Sequence, residues 1–279
     1  MWPSRTRCTY PNTISSNKPV RRAAFPLLIV LLGVACTRSS RFLERAVDLG
    51  EQHYRYRVWL PPRYSKLHHW PVVLYLHGSG ERGDDNESQI STGLAPALQR
   101  FSERYKCVVV FPQARSGQEW YGEMESQAMA ALNATIREFH GDPRRIYLTG
   151  SSMGGAGAWY MARHRRKFAA IVPVCGEIVR QGGDPFPIDP PPDIARIVGS
   201  PDPYATLAVA IGSTPVWAFH GAEDDIVPVK ESRAMVSALQ RAGGLVRYTE
   251  YAHVGHAAWD LAYADRNMVH WLLAQHVGR

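Results

Sequence analysis

Three short stretches of the chain carry side chains able to do covalent chemistry, and their order matters as much as their content. The first is Gly150-Ser151-Ser152-Met153-Gly154, a G-x-S-x-G pattern between the strand-like run RIYLT and a helical pattern. In that setting a sharp turn holds the central serine on an exposed tip, where its hydroxyl can attack a carbonyl. Gly154, Gly155, Ala156 and Gly157 are small enough to let strand and helix approach closely. The start of that helix also points its positive dipole end at the tip, which favours a developing oxyanion. Ser152 is the expected nucleophile, and Ser151 falls one residue short of the tip.

A serine hydroxyl needs a base to take its proton, and the base needs an acid to orient it. Behind a nucleophile turn of this kind the partners follow in the order serine, acid, histidine. The acids on offer are Glu223, Asp224 and Asp225, directly after the run VWAF. The histidines are His253 and His256, directly after the last strand-like run. Both stretches fall at carboxyl ends of strands, the edge where open α/β sheets place their ligands. Spacing alone does not choose among the three acids or between the two histidines.

The elements that must hold these residues are legible as hydrophobic patterns. Val72–Leu76, Val108–Phe111, Ile146–Leu148, Ala170–Val174 and Val216–Phe219 are unbroken apolar runs, as in strands buried on both faces of a parallel sheet. Tyr54–Leu60 alternates as a half-buried strand does, and Leu245–Tyr251 alternates as one near an edge does. Ala128, Leu132, Ile136 and Phe139 recur at helical spacing before Asp142-Pro143. Met153–Arg163, Val229–Arg241 and Asp260–Gln275 read as further helices. This alternation predicts an α/β fold, a mostly parallel central sheet with helices on both faces. Gly182–Pro215, with PFPIDPPPD inside it, reads either as a lid-like excursion over the site or as a plain surface loop.

Length suits one large or two small domains. The chain has 279 residues, 45% of them hydrophobic and 20% charged, which excludes a disordered or fibrous protein. The formal charge is +7, but residues 1–35 hold five basic residues and no acid, so the remainder carries about +2. No clustered basic footprint is visible there, and no nucleic-acid partner is expected. The basic leader runs into Ala23–Ala35, AAFPLLIVLLGVA, too short to span a bilayer and typical of a secretory signal. Residues 1–36 are therefore read as a leader, 37–53 as tether and first edge segment, and 54–279 as the domain, with Thr37–Arg45 the tether proper. Export would permit disulfides, but Cys107 begins one strand-like run and Cys175 ends another, at opposite sheet edges, so two free buried thiols are expected.

With these residues in place, two resemblances emerge. Gly33-Val34-Ala35-Cys36 resembles a bacterial lipobox, although Gly33 stands where leucine is commonest. That implies a lipid-modified Cys36 and an exported, envelope-associated protein; the alternatives are ordinary signal cleavage nearby, giving a periplasmic or secreted protein, and a non-cleaved interfacial anchor. LHGSGERG (76–83), GSSMGG (150–155), FHGAEDDIVP (219–228) and VGHAAW (254–259) resemble the α/β-hydrolase superfamily across roughly Tyr54 to Leu273. The branch resembled is that of bacterial serine esterases related to feruloyl esterases and polyhydroxybutyrate depolymerases. Its members are often labelled peptidases, phospholipase/carboxylesterases or dienelactone-hydrolase-like. The resemblance implies Asp224 as the acid and His256 as the base, with His253 flanking and His220 supporting the loop. It implies an oxyanion hole from the N–H groups of Met153 and Ser79, with Gly80 as the alternative to Ser79. Trp120 falls either near an acyl pocket or in ordinary packing.

The expected activity is hydrolysis of carboxylic esters in small-molecule or polymer substrates, through an acyl-enzyme. A peptidase with the same triad is the alternative, and the chain lacks room for a large gating domain. A non-catalytic binding lipoprotein on the same scaffold is another. No metal-ligand or cofactor motif is present: His68-His69 lacks ligand spacing, and no H-E-x-x-H, C-x-x-C or phosphate loop occurs. No cofactor and no metal are expected.

Overall fold

The computed structural model describes residues 41–179 and 188–278. Strands β1 (Phe42–Leu49), β2 (Gln52–Trp59), β3 (Trp70–Leu76), β4 (Val108–Pro112), β5 (Gly141–Ser151), β6 (Ala170–Val174), β7 (Val216–Gly221) and β8 (Val246–Tyr251) form one sheet. Their order is β1-β2-β4-β3-β5-β6-β7-β8. From β4 to β8 every neighbouring pair is parallel. β2 runs antiparallel to β4, and β1 antiparallel to β2. The mostly parallel sheet expected from the apolar runs is the one observed, with β8 at its edge.

The strands are apolar because both faces are covered. Val72, Leu74 and Leu76 of β3 face one core, while Val73 and Tyr75 face the other. The first core is closed by α2 (Glu123–Glu138), α3 (Met153–Met161), α4 (Pro192–Val198), α5 (Pro203–Ile211) and α6 (Lys230–Arg241). The second is closed by α1 (Leu94–Arg100), α7 (Trp259–Ala264) and α8 (Arg266–Ala274). Burying one valine or leucine side chain contributes roughly 1.5–3 kcal/mol, so these two layers dominate stability. Cys107 and Cys175 are buried free thiols.

Three expectations need correction. The tether does not reach Arg45: the first edge segment expected within 37–53 is β1, which already begins at Phe42, because Leu43, Val47 and Leu49 half-bury one side of it while Glu44 and Asp48 face outward. The closing helix is two helices, since Asp265 leaves the helical conformation and its carboxylate accepts from the Asn267 N–H at 2.7 Å, capping α8. From Ile188 onward the excursion is not a plain surface loop but folds into α4 and α5, each with proline in its first turn. Residues 182–187 of that stretch and the whole leader, with Cys36, lie outside the described residues. Among the described residues no helix is long and apolar enough to cross a membrane.

Candidate active site

The carboxyl ends of β5, β7 and β8 bring three loops to one place. Ser152 follows β5 directly with φ 56° and ψ −121°, a backbone conformation that a side-chain-bearing residue adopts only at a cost of about 1–3 kcal/mol. The strained turn is held by packing. A side chain on Gly154 would sit 1.9 Å from the Leu76 carbonyl oxygen, so only glycine lets α3 close on β3. The Ser152 N–H donates to Val174 O at 3.0 Å, tying the turn to β6. Ser151 points away, its hydroxyl 3.0 Å from the buried Tyr75 hydroxyl.

The acid and histidine loops meet backbone to backbone. A side chain on Gly221, at the end of β7, would lie 2.2 Å from the carbonyl oxygens of Val254 and Gly255. That contact, and the Glu223 N–H donating to Val254 O at 2.9 Å, set the spacing of the two loops. His256 Nε2 then lies 2.8 Å from Ser152 Oγ, and its Nδ1 lies 2.8 Å from Asp224 Oδ2. Nδ1–H donates to the carboxylate, which leaves Nε2 free to accept from the serine hydroxyl. His253, three positions earlier, faces solvent at φ 57° and pairs with Glu223 at 2.8 Å.

Asp224 has no exposed side-chain surface. Burial by itself would raise its carboxyl, but hydrogen bonds from His220, His256 and the N–H groups of Val227 and Ile226 hold it well below the usual carboxylate range. His220 is the support expected of it. Its Nε2–H reaches Val227 O at 2.8 Å and Asp224 Oδ2 at 3.1 Å, while Nδ1 accepts from the Ser232 hydroxyl at 2.7 Å. Cys175, which sequence reasoning passed over, donates its thiol to the His256 carbonyl at 3.3 Å. Ligand atoms of Cys175, Asp224 and His256 lie within 4.8 Å of one another, close enough for a soft cation. In the described site they are engaged in the hydrogen bonds just given.

The loop after β3 lies beside the serine. A side chain on Gly78 would meet Ser152 Cβ at 3.6 Å. Three contacts fix its backbone. The Ala114 N–H donates to His77 Nε2 at 2.9 Å, so the ring proton sits on Nδ1 and donates to Gly78 O at 2.6 Å. Trp120 Nε1–H donates to His77 O at 2.9 Å. A trans peptide points its N–H opposite to its C=O, so anchoring Gly78 O turns the Ser79 N–H away from the His77 ring. Met153 opens α3, and the N–H of a first helical residue has no partner within the helix. Trp120 is 1% exposed and stacks edge-on against His77 at 4.9 Å. It packs against this loop. Burial pushes the His77 imidazolium down to about 4, so the ring is neutral at pH 7.

The sheet order, the strained serine after β5 and the histidine after the last strand together define the α/β-hydrolase fold. Residues 104–263 match the model of the dienelactone hydrolase family, and the chain belongs to that family. No curated protein matches the chain. A thermostable esterase of known structure is similar at 28% identity and a TM-score of 0.69 over 85% of this chain, which spans 63% of that protein. An S-formylglutathione hydrolase from Staphylococcus aureus is 15% identical with a TM-score of 0.64, covering 83% of this chain and 98% of its own. A ferulic acid esterase is 17% identical with a TM-score of 0.61, covering 83% and 97%. The last two likenesses speak for the fold alone.

Proposed function

We propose that the chain is an exported serine hydrolase that cleaves carboxylic esters through Ser152, His256 and Asp224. The observation that carries this reading is the continuous relay, Ser152 Oγ to His256 Nε2 at 2.8 Å and His256 Nδ1 to Asp224 Oδ2 at 2.8 Å. His256 takes the serine proton as Oγ attacks the ester carbonyl, and Asp224 stabilises the imidazolium that forms. The oxyanion is received by the N–H groups of Met153 and Ser79, each such donor contributing about 2.7–4 kcal/mol. His256 returns the proton to the departing alcohol. Water then attacks the acyl-enzyme by the same proton path in reverse. The likeness to an esterase at 28% identity supports the ester over the amide. Export, and lipid attachment at Cys36, rest on the leader alone.

The test is labelling with a fluorophosphonate probe beside a panel of short-chain, long-chain and aromatic acyl esters. The wild-type chain should label and turn over esters. Ser152→Ala should lose both, with a rate loss of at least about 10⁴-fold, because the three side chains act as a unit. Undiminished turnover by a folded Ser152→Ala protein would remove the proposal.

A further inference from the structure

The two edges of the sheet carry opposite charge. Connections that lead into the parallel strands are mostly basic: Arg63 and Lys66 lie between β2 and β3, and Arg104 and Lys106 precede β4 against Glu103. Arg165, Arg166 and Lys167 precede β6 with no acid among them. The edge bearing Ser152 reverses this. The loop after β3 holds Glu81, Asp84, Asp85 and Glu87 against Arg82, and the loop after β7 holds three acids and no base. The near-balance of the domain's total charge hid this, because the basic residues are scattered in sequence and gathered only by the fold.

Within the basic edge a groove of about 600 Å³ opens between α8 and the starts of β3 and β5. Its walls are apolar at Pro71, Val269 and Leu273, and its charged lining is Arg104, Lys106, Arg145 and Arg266 against one acid, Glu103. Arg145 is paired with Asp142 at 2.7 Å. Lys106 and Arg266 are exposed and have no ion pair or side-chain hydrogen bond among the described residues. The chain enters the fold at this edge too. Phe42 lies opposite Trp59, which lies opposite Val109 near the start of β4. The Leu60 N–H donates to Arg41 O at 3.1 Å.

We propose that this basic edge is a docking surface for an anionic phospholipid bilayer, with the candidate active site facing away from it. Unpaired cations around an apolar-walled groove complement phosphate headgroups above acyl chains. Residues 1–40, which include the apolar run Ala23–Ala35, join the domain at this same edge. A nucleic acid would match the charge but would leave the apolar walls unused. The proposal goes beyond ester cleavage and does not depend on it.

The test is cosedimentation of the full chain with vesicles of phosphatidylcholine containing about one third phosphatidylglycerol, against pure phosphatidylcholine. Each basic residue near an anionic leaflet strengthens binding roughly fivefold. Lys106→Gln/Arg266→Gln should therefore bind the anionic vesicles roughly 25-fold more weakly, and Lys66→Gln/Arg166→Gln should show a similar loss. Because the leader is common to all three proteins, the difference reports on the edge. Binding to pure phosphatidylcholine should be equal across them, and turnover of a soluble ester should be unchanged, showing intact folds. Undiminished binding of both double variants to anionic vesicles overturns the proposal. So does tighter binding to duplex DNA than to vesicles, lost in the same variants. Absence of ester turnover in every protein would count against the ester reading and leave the vesicle comparison intact.

Discussion

His253 and His256 share a loop and differ in everything a base needs. One pairs with an exposed glutamate, while the other spans from Ser152 to Asp224. His256→Ala should lower kcat/KM for an ester by about 10⁴-fold or more, and His253→Ala should leave it within about twofold. Asp224→Asn should cost about 10⁴-fold by presenting the imidazole in the wrong tautomer, and Asp225→Asn should cost little. Steady-state kinetics on the four purified variants decide the matter. At this scale the sequence showed the residue types and their order, because a nucleophile turn has a local signature. It did not show the choice between neighbours, which the close approach of Gly221 to the histidine loop determines. Nor did it show His77 and Cys175 as supports, since their partners come from other strands.

The loop after β3 depends on a neutral histidine. His77 lies at about 4 in the folded protein against an ordinary 6.5, so between those values the unfolded chain takes up a proton that the folded chain refuses. Stability that is fully present above the ordinary value is thus lost as pH falls toward 4, by up to about 3 kcal/mol. Urea denaturation near pH 7 and near pH 4 should show a smaller difference for His77→Gln, which keeps a donor and an acceptor without titrating. Carboxylates contribute equally to both proteins and cancel. An equally steep loss in the variant would place the acid sensitivity elsewhere. Among the elements, the strands buried on two faces were legible because nothing polar interrupts them. The start of β1 was not, because its outward residues are charged and its inward ones only half-buried. The break at Asp265 was missed because an apolar periodicity continues on both sides of it.

At the scale of the whole molecule, the two proposals place membrane contact and catalysis at opposite edges of the sheet. If Cys36 is the attachment point, Cys36→Ser should move the protein from the membrane fraction of its host to the soluble fraction, read by fractionation and immunoblotting. Unchanged membrane retention with the leader intact would point to the uncleaved leader as the anchor. Fold class was readable from the pattern of strands, but the segregation of charge was not, because composition averages over space. The acidic mouth also bears on turnover. The proposed ester cleavage would replace a neutral molecule with an anion, and the loops at the Ser152 edge of the sheet carry Glu81, Glu223 and Asp225. The field that leaves an approaching neutral ester untouched pushes its carboxylate product outward. Entry and exit are thereby made unequal, and the reaction carries its own means of clearing the site.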